Sequence, residues 1–369
     1  MASADKLIAD LQGISGSSFA NEAERVRARD ALFEALRKVQ SPWDIVWDHN
    51  WVTGATNASV KTLIDAGVFK KWAECGGSPK TCAELSELTG ADELLIRQHL
   101  VIETAEDTFA PTPWANALAT DPALCAKPAV LPQGEGIQSP SDVNDCNWQY
   151  WKGTSNNLFA DLSINPAFAN DFHAAMQCHS KYNLTPWPEV YPTSTVVSDT
   201  KPDRALVVDI GGSKGHDLEK FRLCHPDIPD GSLILQDLPD VVKDVQVDRA
   251  IVAQEYDFFT PQPVKGARIY FMHNVLHDWP DDSAVMILKN VASAMEKGYS
   301  KLLVHESLIS RVNPLARVTV SDITMMACLA AKERTEIEWG EVIRNSGLRV
   351  VKIWRPPQSV ESVIEVELD

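Results

Sequence analysis

The sequence is short of positive charge: 34 Lys and Arg stand against 51 Asp and Glu, a formal net charge of −17. Phosphate backbones and anionic membrane surfaces need a basic face, so this balance argues against both and favours a small neutral or weakly acidic ligand. Cysteine is sparse and unpatterned. The seven residues, at 75, 82, 125, 146, 178, 224 and 328, are odd in number and form no CxxC pair. That is unlike a secreted disulfide framework or a zinc site, and reduced thiols in a cytoplasmic protein are expected. No long apolar run is present. The opening MASADKLIADLQG is amphipathic, so neither a signal peptide nor a membrane span is expected. There is no internal repeat, no low-complexity segment and no His/Asp/Glu grouping at metal-ligand spacing, so no metal is expected.

What is present is ample apolar content, 44% of 369 residues, enough for a sizeable core and two domains. Residues 1–197 carry apolar groups at three- and four-residue spacing and read as mainly helical. From 198 to 369 the pattern changes. Strand-like runs at RALVVDI, SLILQD, AIVAQEY, RIYFMHNVL and KLLVHESLI alternate with helix-compatible segments such as Asp217 to Cys224 and Asp281 to Met295. This is the signature of an α/β domain with a mostly parallel sheet. RVVKIWR and SVIEVEL, around Pro356 and Pro357, read as an antiparallel hairpin closing that sheet.

Two segments carry the chemistry. ALVVDIGGSKGH is an apolar strand with Asp209 followed by a turn containing Gly211, Gly212 and Gly215. Glycines there let the backbone approach a ligand, and the helix that follows supplies free N–H groups. The spacing is not GxGxxG; it is nearer to an acid-then-glycines pattern in which no pyrophosphate is cradled. Asp237 ends the second strand, where a carboxylate accepts from ribose hydroxyls. Asp257 and Phe258, in YDFF, stand where an adenine amino group and ring face would be met; a capping Asp and a buried Phe are the plainer reading.

The second segment is FMHNVLHDWPDD, residues 271–282, which places His277 and Asp278 just after a strand and before a Pro-marked helix start. A lone His-Asp pair is often a strand-end histidine beside a helix cap. Two carboxylates shift the balance: Glu306 in LLVHESL and Glu333 in AAKERTE. An imidazole base needs an acceptor on its second nitrogen, to fix its tautomer and stabilise the cation it becomes. Glu336 and Glu338 compete for the Glu333 role but fit a solvent-facing helix.

In this order, VVDIGGSKGHDLEKF, LQDLP, YDFFTPQP, NVLHDWPDD and AAKERTEIEW resemble the S-adenosylmethionine-dependent O-methyltransferases of the caffeate/flavonoid type, especially their fungal secondary-metabolism branch. The resemblance implies a C-terminal Rossmann-like class I methyltransferase domain and an N-terminal, mainly helical, winged-helix-like domain that builds a homodimer. It implies His277 as base, flanked by Glu306 and Glu333. Asp209, Gly211, Gly212, Asp237 and Leu238 become cofactor contacts, Asp257 and Phe258 adenine contacts, and His273 a cofactor contact where relatives place a basic residue. Ser213 departs from the family, which has glycine there. The expected reaction moves a methyl group to a phenol or enol of a small secondary metabolite. The alternative is a protein of the same fold that binds S-adenosylmethionine but dehydrates or rearranges a polyketide or pyridone.

For the substrate, the resemblance points to Asp278 and Trp279 beside the base and to the helix NDFHAAMQCHSKYN, with Met176 and His179. An apolar stripe of that kind is also ordinary core. NWQYWKGT is a second candidate lining, with Lys152 where relatives often carry histidine. TCAELSELTGADELLIRQHL has a helix-turn-helix look, but the acidic balance favours a dimer-building module over a DNA reader. Between Arg97 and Val101 about a dozen residues of the family pattern are absent, which puts the regular wing and its dimer contact in question.

Overall fold

The computed structural model describes residues 4–90, 101–105, 108–112, 115–116, 119, 139–170, 172, 176, 186–201, 203–243, 245–311, 314, 316–356 and 361–369. The chain divides into two compact units, Met1–Asn50 and Trp51–Asp369. The helix-dominated stretch reaches further, since the first strand of the large sheet begins at Val207.

The first unit is helical: α1 (Ala4–Gln12), α2 (Glu22–Val39) and α3 (Pro42–Trp47). The starts of α2 and α3 are written locally. Asn21 accepts from the Glu24 N–H to open α2, and a Ser41/Asp44 capping box with Pro42 at the first position opens α3. Leu7, Leu11, Leu32, Phe33, Leu36 and Val39 remain exposed on this unit.

The second unit begins with α4 (Thr53–Asp65), α5 (Val68–Glu74), β1 (Lys80–Thr81), α6 (Cys82–Thr89), β2 (Val101–Ala105) and β3 (Thr108–Pro111). The three strands pair antiparallel in the order β1-β3-β2. Leu63, Val68, Phe69, Trp72, Leu85 and Phe109 pack with them into one small core. A hairpin of winged-helix type is thus in place. The expected deletion near Arg97 to Val101 lies largely outside the described residues. Two short helices, α7 (Asn147–Lys152) and α8 (Leu158–Ile164), follow.

The large sheet is built from β4 (Val207–Ile210), β5 (Leu233–Asp237), β6 (Ile251–Glu255), β7 (Ile269–His273), β8 (Lys301–Ser307), β9 (Leu348–Trp354) and β10 (Glu361–Leu368). Their order is β6-β5-β4-β7-β8-β10-β9. The first five are mutually parallel, and β10 pairs antiparallel with both β8 and β9. Every strand run expected from the sequence is therefore a strand, and the closing hairpin inserts its second arm beside β8.

The apolar runs are continuous because both sheet faces are covered. Val208, Tyr270, Leu302 and Ile364 pack on one side with α10 (Asp281–Ala292) and α12 (Glu336–Asn345). Val207, Phe271, Leu303 and Val363 pack on the other with Trp187 and with α9 (His216–Cys224). Neighbouring residues on a strand point to opposite faces, so each pair splits between the two cores. A further helix, α11 (Ala316–Leu329), ends just before the segment that carries Glu333. This architecture gathers the carboxyl ends of β4, β5, β7 and β8 along one rim, where the strand order reverses at β4 and β7.

Candidate active site

At the rim above β4 the backbone turns so tightly that side chains are excluded. The Gly211 and Gly212 N–H groups both donate to the Gln236 carbonyl, at 2.8 and 3.2 Å. A Cβ on Gly211 would lie 2.8 Å from a Val275 methyl, and one on Gly212 would overlap the Asp209 carboxyl. Ser213 has φ +52°, a left-handed conformation that glycine would adopt without strain. Its N–H donates to Asp237 Oδ2 at 2.8 Å, while Asp237 Oδ1 accepts from the Leu238 N–H at 2.8 Å. The Leu238 side chain is exposed beside this turn.

Asp209 is buried beneath the turn, and its Oδ2 has no hydrogen-bond partner among the described residues. Burial first, and Asp217 second, push its carboxyl well above the usual range. A glycine cradle with no room for Cβ, an orphaned buried oxygen below it and an acid on the next strand fit a nucleoside-type cofactor. Asp257 is exposed and its carboxylate accepts from the Phe259 N–H at 3.0 Å, so it shapes the loop after β6. Phe258 and Phe259 pack edge-on against Trp279, with centroids 5.8 and 4.7 Å away, and Phe159 from α8 stacks on Trp279 at 5.6 Å.

His273 leads away from the crevice. Its Nδ1 lies 2.6 Å from Asp217 and its Nε2 3.2 Å from Glu361, and its ring stacks on His305 at 4.2 Å. Burial opposes its charge, but Asp217 and Glu361 outweigh that and hold its pKa well above the ordinary value. His305 goes the other way: burial and the His273 cation push it down to about 3. Both His305 nitrogens lack a hydrogen-bond partner among the described residues. His273, His305 and Glu361 are close enough to hold a cation, as are His277, Glu306 and Glu333. In the first group the rings lie only 25° from parallel, stacked face to face, so their lone pairs do not meet at one point without ring rotation.

The three residues expected at the reacting centre converge. His277 sits in a single 3₁₀ turn, Leu276–Asp278, after β7. Its Nδ1 lies 2.9 Å from Glu333 Oε1 and 3.7 Å from Glu306 Oε2, and its Nε2 lies 3.5 Å from Asp278 Oδ1. The carboxylates are themselves held. Glu306 Oε1 accepts from the Val275 and Leu276 N–H groups at 3.1 and 2.9 Å. Glu333 Oε1 accepts from the Ser321 hydroxyl at 2.6 Å, and its backbone N–H donates to Asp322 at 2.8 Å. Burial disfavours the imidazolium, but Glu306, Glu333 and Asp278 together hold the His277 pKa well above the ordinary value. Burial raises the Asp278 carboxyl to about 7, with His277 opposing.

Asp278 therefore faces the imidazole; it does not cap α10, whose N-cap is Pro280. Glu336 is exposed and Glu338 closes a capping box with Thr335, so neither competes with Glu333. Met176 is 37% exposed, and His179 lies outside the described residues. The Lys152 ammonium sits over the Trp148, Trp151 and Phe168 rings at 5.2, 4.5 and 5.1 Å, a cation–π cluster, so it is more than a solvated lysine. Sequence reasoning missed Asp217, His305, Ser321, Arg334 and Glu361.

A parallel sheet with a glycine turn at its switch point, facing a carboxylate-flanked histidine, defines a class I methyltransferase arrangement. The comparisons agree. Residues 138–349 match the O-methyltransferase domain family. The O-methyltransferase mfmE of Annulohypoxylon moriforme is 35% identical, over 98% of this chain and 95% of that protein. Among solved structures, OxaC in complex with SAH and oxaline superposes with a TM-score of 0.60 at 26% identity, over 99% of this chain and 98% of that one. A protein described as a pericyclic reaction enzyme superposes with a TM-score of 0.61 at 25% identity, over 99% of both chains.

The chain belongs to the O-methyltransferase family, in its fungal secondary-metabolism branch. It is an S-adenosylmethionine-dependent O-methyltransferase acting on a small molecule. No helix among the described residues is long and apolar enough to cross a membrane.

Proposed function

We propose that His277 is the general base that removes the proton from a phenol or enol hydroxyl of a secondary metabolite, so that the oxygen accepts the methyl group. The observation that carries this is the 2.9 Å contact of His277 Nδ1 with Glu333, which fixes the tautomer and leaves Nε2 to take the proton. A phenol with a pKa near 10 is a poor nucleophile at neutral pH until that proton goes. S-adenosylmethionine supplies a methyl group on a positively charged sulfur. Glu306 and Glu333 stabilise the imidazolium formed from the Nδ1 side, and the neighbouring Asp278 gives a third carboxyl, on the Nε2 side.

For the cofactor, the reading assigns Gly211 and Gly212 to close backbone approach and Asp237 to the ribose hydroxyls. Asp209 supports the turn, Leu238 flanks the ribose, and Asp257 and Phe258 bound the adenine end. His273 contributes as a buried cation below the rim. Trp279 and Met176 line the acceptor site, with His179 from the same segment. Exposed Leu7, Leu11, Leu32, Phe33 and Leu36 on α1 and α2 favour a homodimer that covers them. The odd, unpatterned cysteine set, with no CxxC pair in the sequence, favours a cytoplasmic location.

The likeness to a pericyclic reaction enzyme sustains a second reading, rearrangement or dehydration without methyl transfer. Incubation of the purified protein with S-adenosylmethionine and a panel of phenols, enols and pyridones separates the two. Methyl transfer gives a product heavier by one methyl together with S-adenosylhomocysteine. An isomerised or dehydrated product with the cofactor unconsumed overturns it.

A further inference from the structure

The side chain most heavily engaged around His277 is one that the reaction does not use. Arg334 is fully buried, follows Glu333 directly, and lies with its guanidinium 5.0 Å from the Trp339 ring centre. Its Nη1 donates to the Leu276 carbonyl at 2.9 Å, its Nη2 to the Trp279 carbonyl at 2.6 Å, and its Nε to Asp281 Oδ1 at 2.8 Å. The first two acceptors bracket His277, one residue before it and two after. The third is the first residue of α10. The Arg334 carbonyl accepts from the Ile309 N–H at 3.1 Å, three residues beyond Glu306.

One residue thus joins the three segments that carry His277, Glu306 and Glu333. A buried guanidinium is costly unless its donors are met, and its rigid fork meets three acceptors here where a lysine ammonium would be a single point. The Leu276 and Trp279 carbonyls belong to a single 3₁₀ turn whose own hydrogen bonds, Asp278 N–H to the Val275 carbonyl and Trp279 N–H to the Leu276 carbonyl, are both long at 3.3 Å.

We propose that Arg334 is the positioning residue of the active site: its fork holds the Leu276–Trp279 turn so that His277 Nδ1 stays on Glu333. This rests on His277 being the base. The test is Arg334→Lys in the full-length protein, with kcat, the KM for S-adenosylmethionine, the cofactor Kd and ¹⁵N-histidine NMR of the ring nitrogens. The variant is expected to fold and to keep its cofactor Kd. Its kcat should fall by about 100-fold, the scale set by a misplaced catalytic group. The His277 ring signals should change from one fixed tautomer to an averaged pair.

A kcat within threefold of wild type with unchanged His277 signals overturns the proposal, and so does loss of cofactor binding in step with kcat, which would mark a general structural role. Should Arg334→Lys not fold, Asp281→Asn decides, because it keeps the arginine and weakens one of its three ties. A kcat lowered with fold and cofactor Kd intact supports the proposal, and an unchanged kcat overturns it. Full activity of His277→Ala would instead remove the base assignment, and the NMR of Arg334→Lys separates that failure from this one.

Discussion

Replacing Glu333 by Gln removes a charge and almost nothing else. The amide fills the same volume, Ser321 still donates to the position of Oε1, and Asp322 still holds the backbone N–H. What is lost is a carboxylate 2.9 Å from His277 Nδ1, where positive charge develops as the base takes its proton. A hydrogen bond to a charged group contributes about 1.5–3 kcal/mol. In a transition state that difference slows kcat by roughly 10- to 150-fold.

The same loss has a second, independent signature. His277 must be neutral to act, and its pKa is held high by Glu306, Glu333 and Asp278, so activity rises with pH through that raised value. Removing the Glu333 charge lowers this pKa and moves the acid limb to lower pH, while the plateau falls. Initial rates of S-adenosylhomocysteine release from pH 5 to 10 at saturating cofactor read both effects. A variant with wild-type plateau and an unmoved acid limb would refute the reasoning. A limb moved to higher pH would reverse its sign.

Asp237→Ala is expected to weaken cofactor binding by about 1.5–3 kcal/mol through loss of charge-assisted hydrogen bonds, read as Kd by calorimetry; an unchanged Kd removes Asp237 from the cofactor site. Gly212→Ala places a Cβ into Asp209 and 2.6 Å from Leu235 Cδ1, and overpacking of this kind costs about 1–3 kcal/mol, read as a fall in Tm. His273→Ala leaves Asp217 and Glu361 as buried carboxylates without their shared cation, which costs about 3–5 kcal/mol in urea unfolding. The His273–Asp217 pair also sets a pH window. Burial opposes the Asp217 charge, but the His273 cation, its hydrogen bond and Lys220 together depress the carboxyl, so its contribution is present above the ordinary Asp value and is lost as pH falls through the lowered one. His273 is raised, so its contribution is lost as pH climbs through its folded value.

The parallel strands were legible because burial on both faces writes them as unbroken apolar runs, and VVDI, LILQD and IYFMH each lie where a strand is found. The meeting of His277 with Glu306 and Glu333 was legible for a related reason: parallel sheets bring strand ends to one rim. The charge cluster below was not. Asp217 and Glu361 are 144 positions apart by residue number, and both touch His273 only because α9 and β10 lie on opposite flanks of β7. Nothing local to a strand such as KLLVHES distinguishes a buried His305 from an exposed one. Arg334 was hidden by composition, since charged residues in a row such as KERTE ordinarily face water. Asp257 turns the loop after β6 with its own carboxylate, a contact that YDFF does not spell out.

The most direct test of the account is His277→Ala in a single turnover, with S-adenosylmethionine prebound and the acceptor identified from the panel. The account predicts no methylated product above background, with cofactor Kd unchanged, since the imidazole moves a proton and does not hold the cofactor. Product formed at the wild-type rate would contradict it.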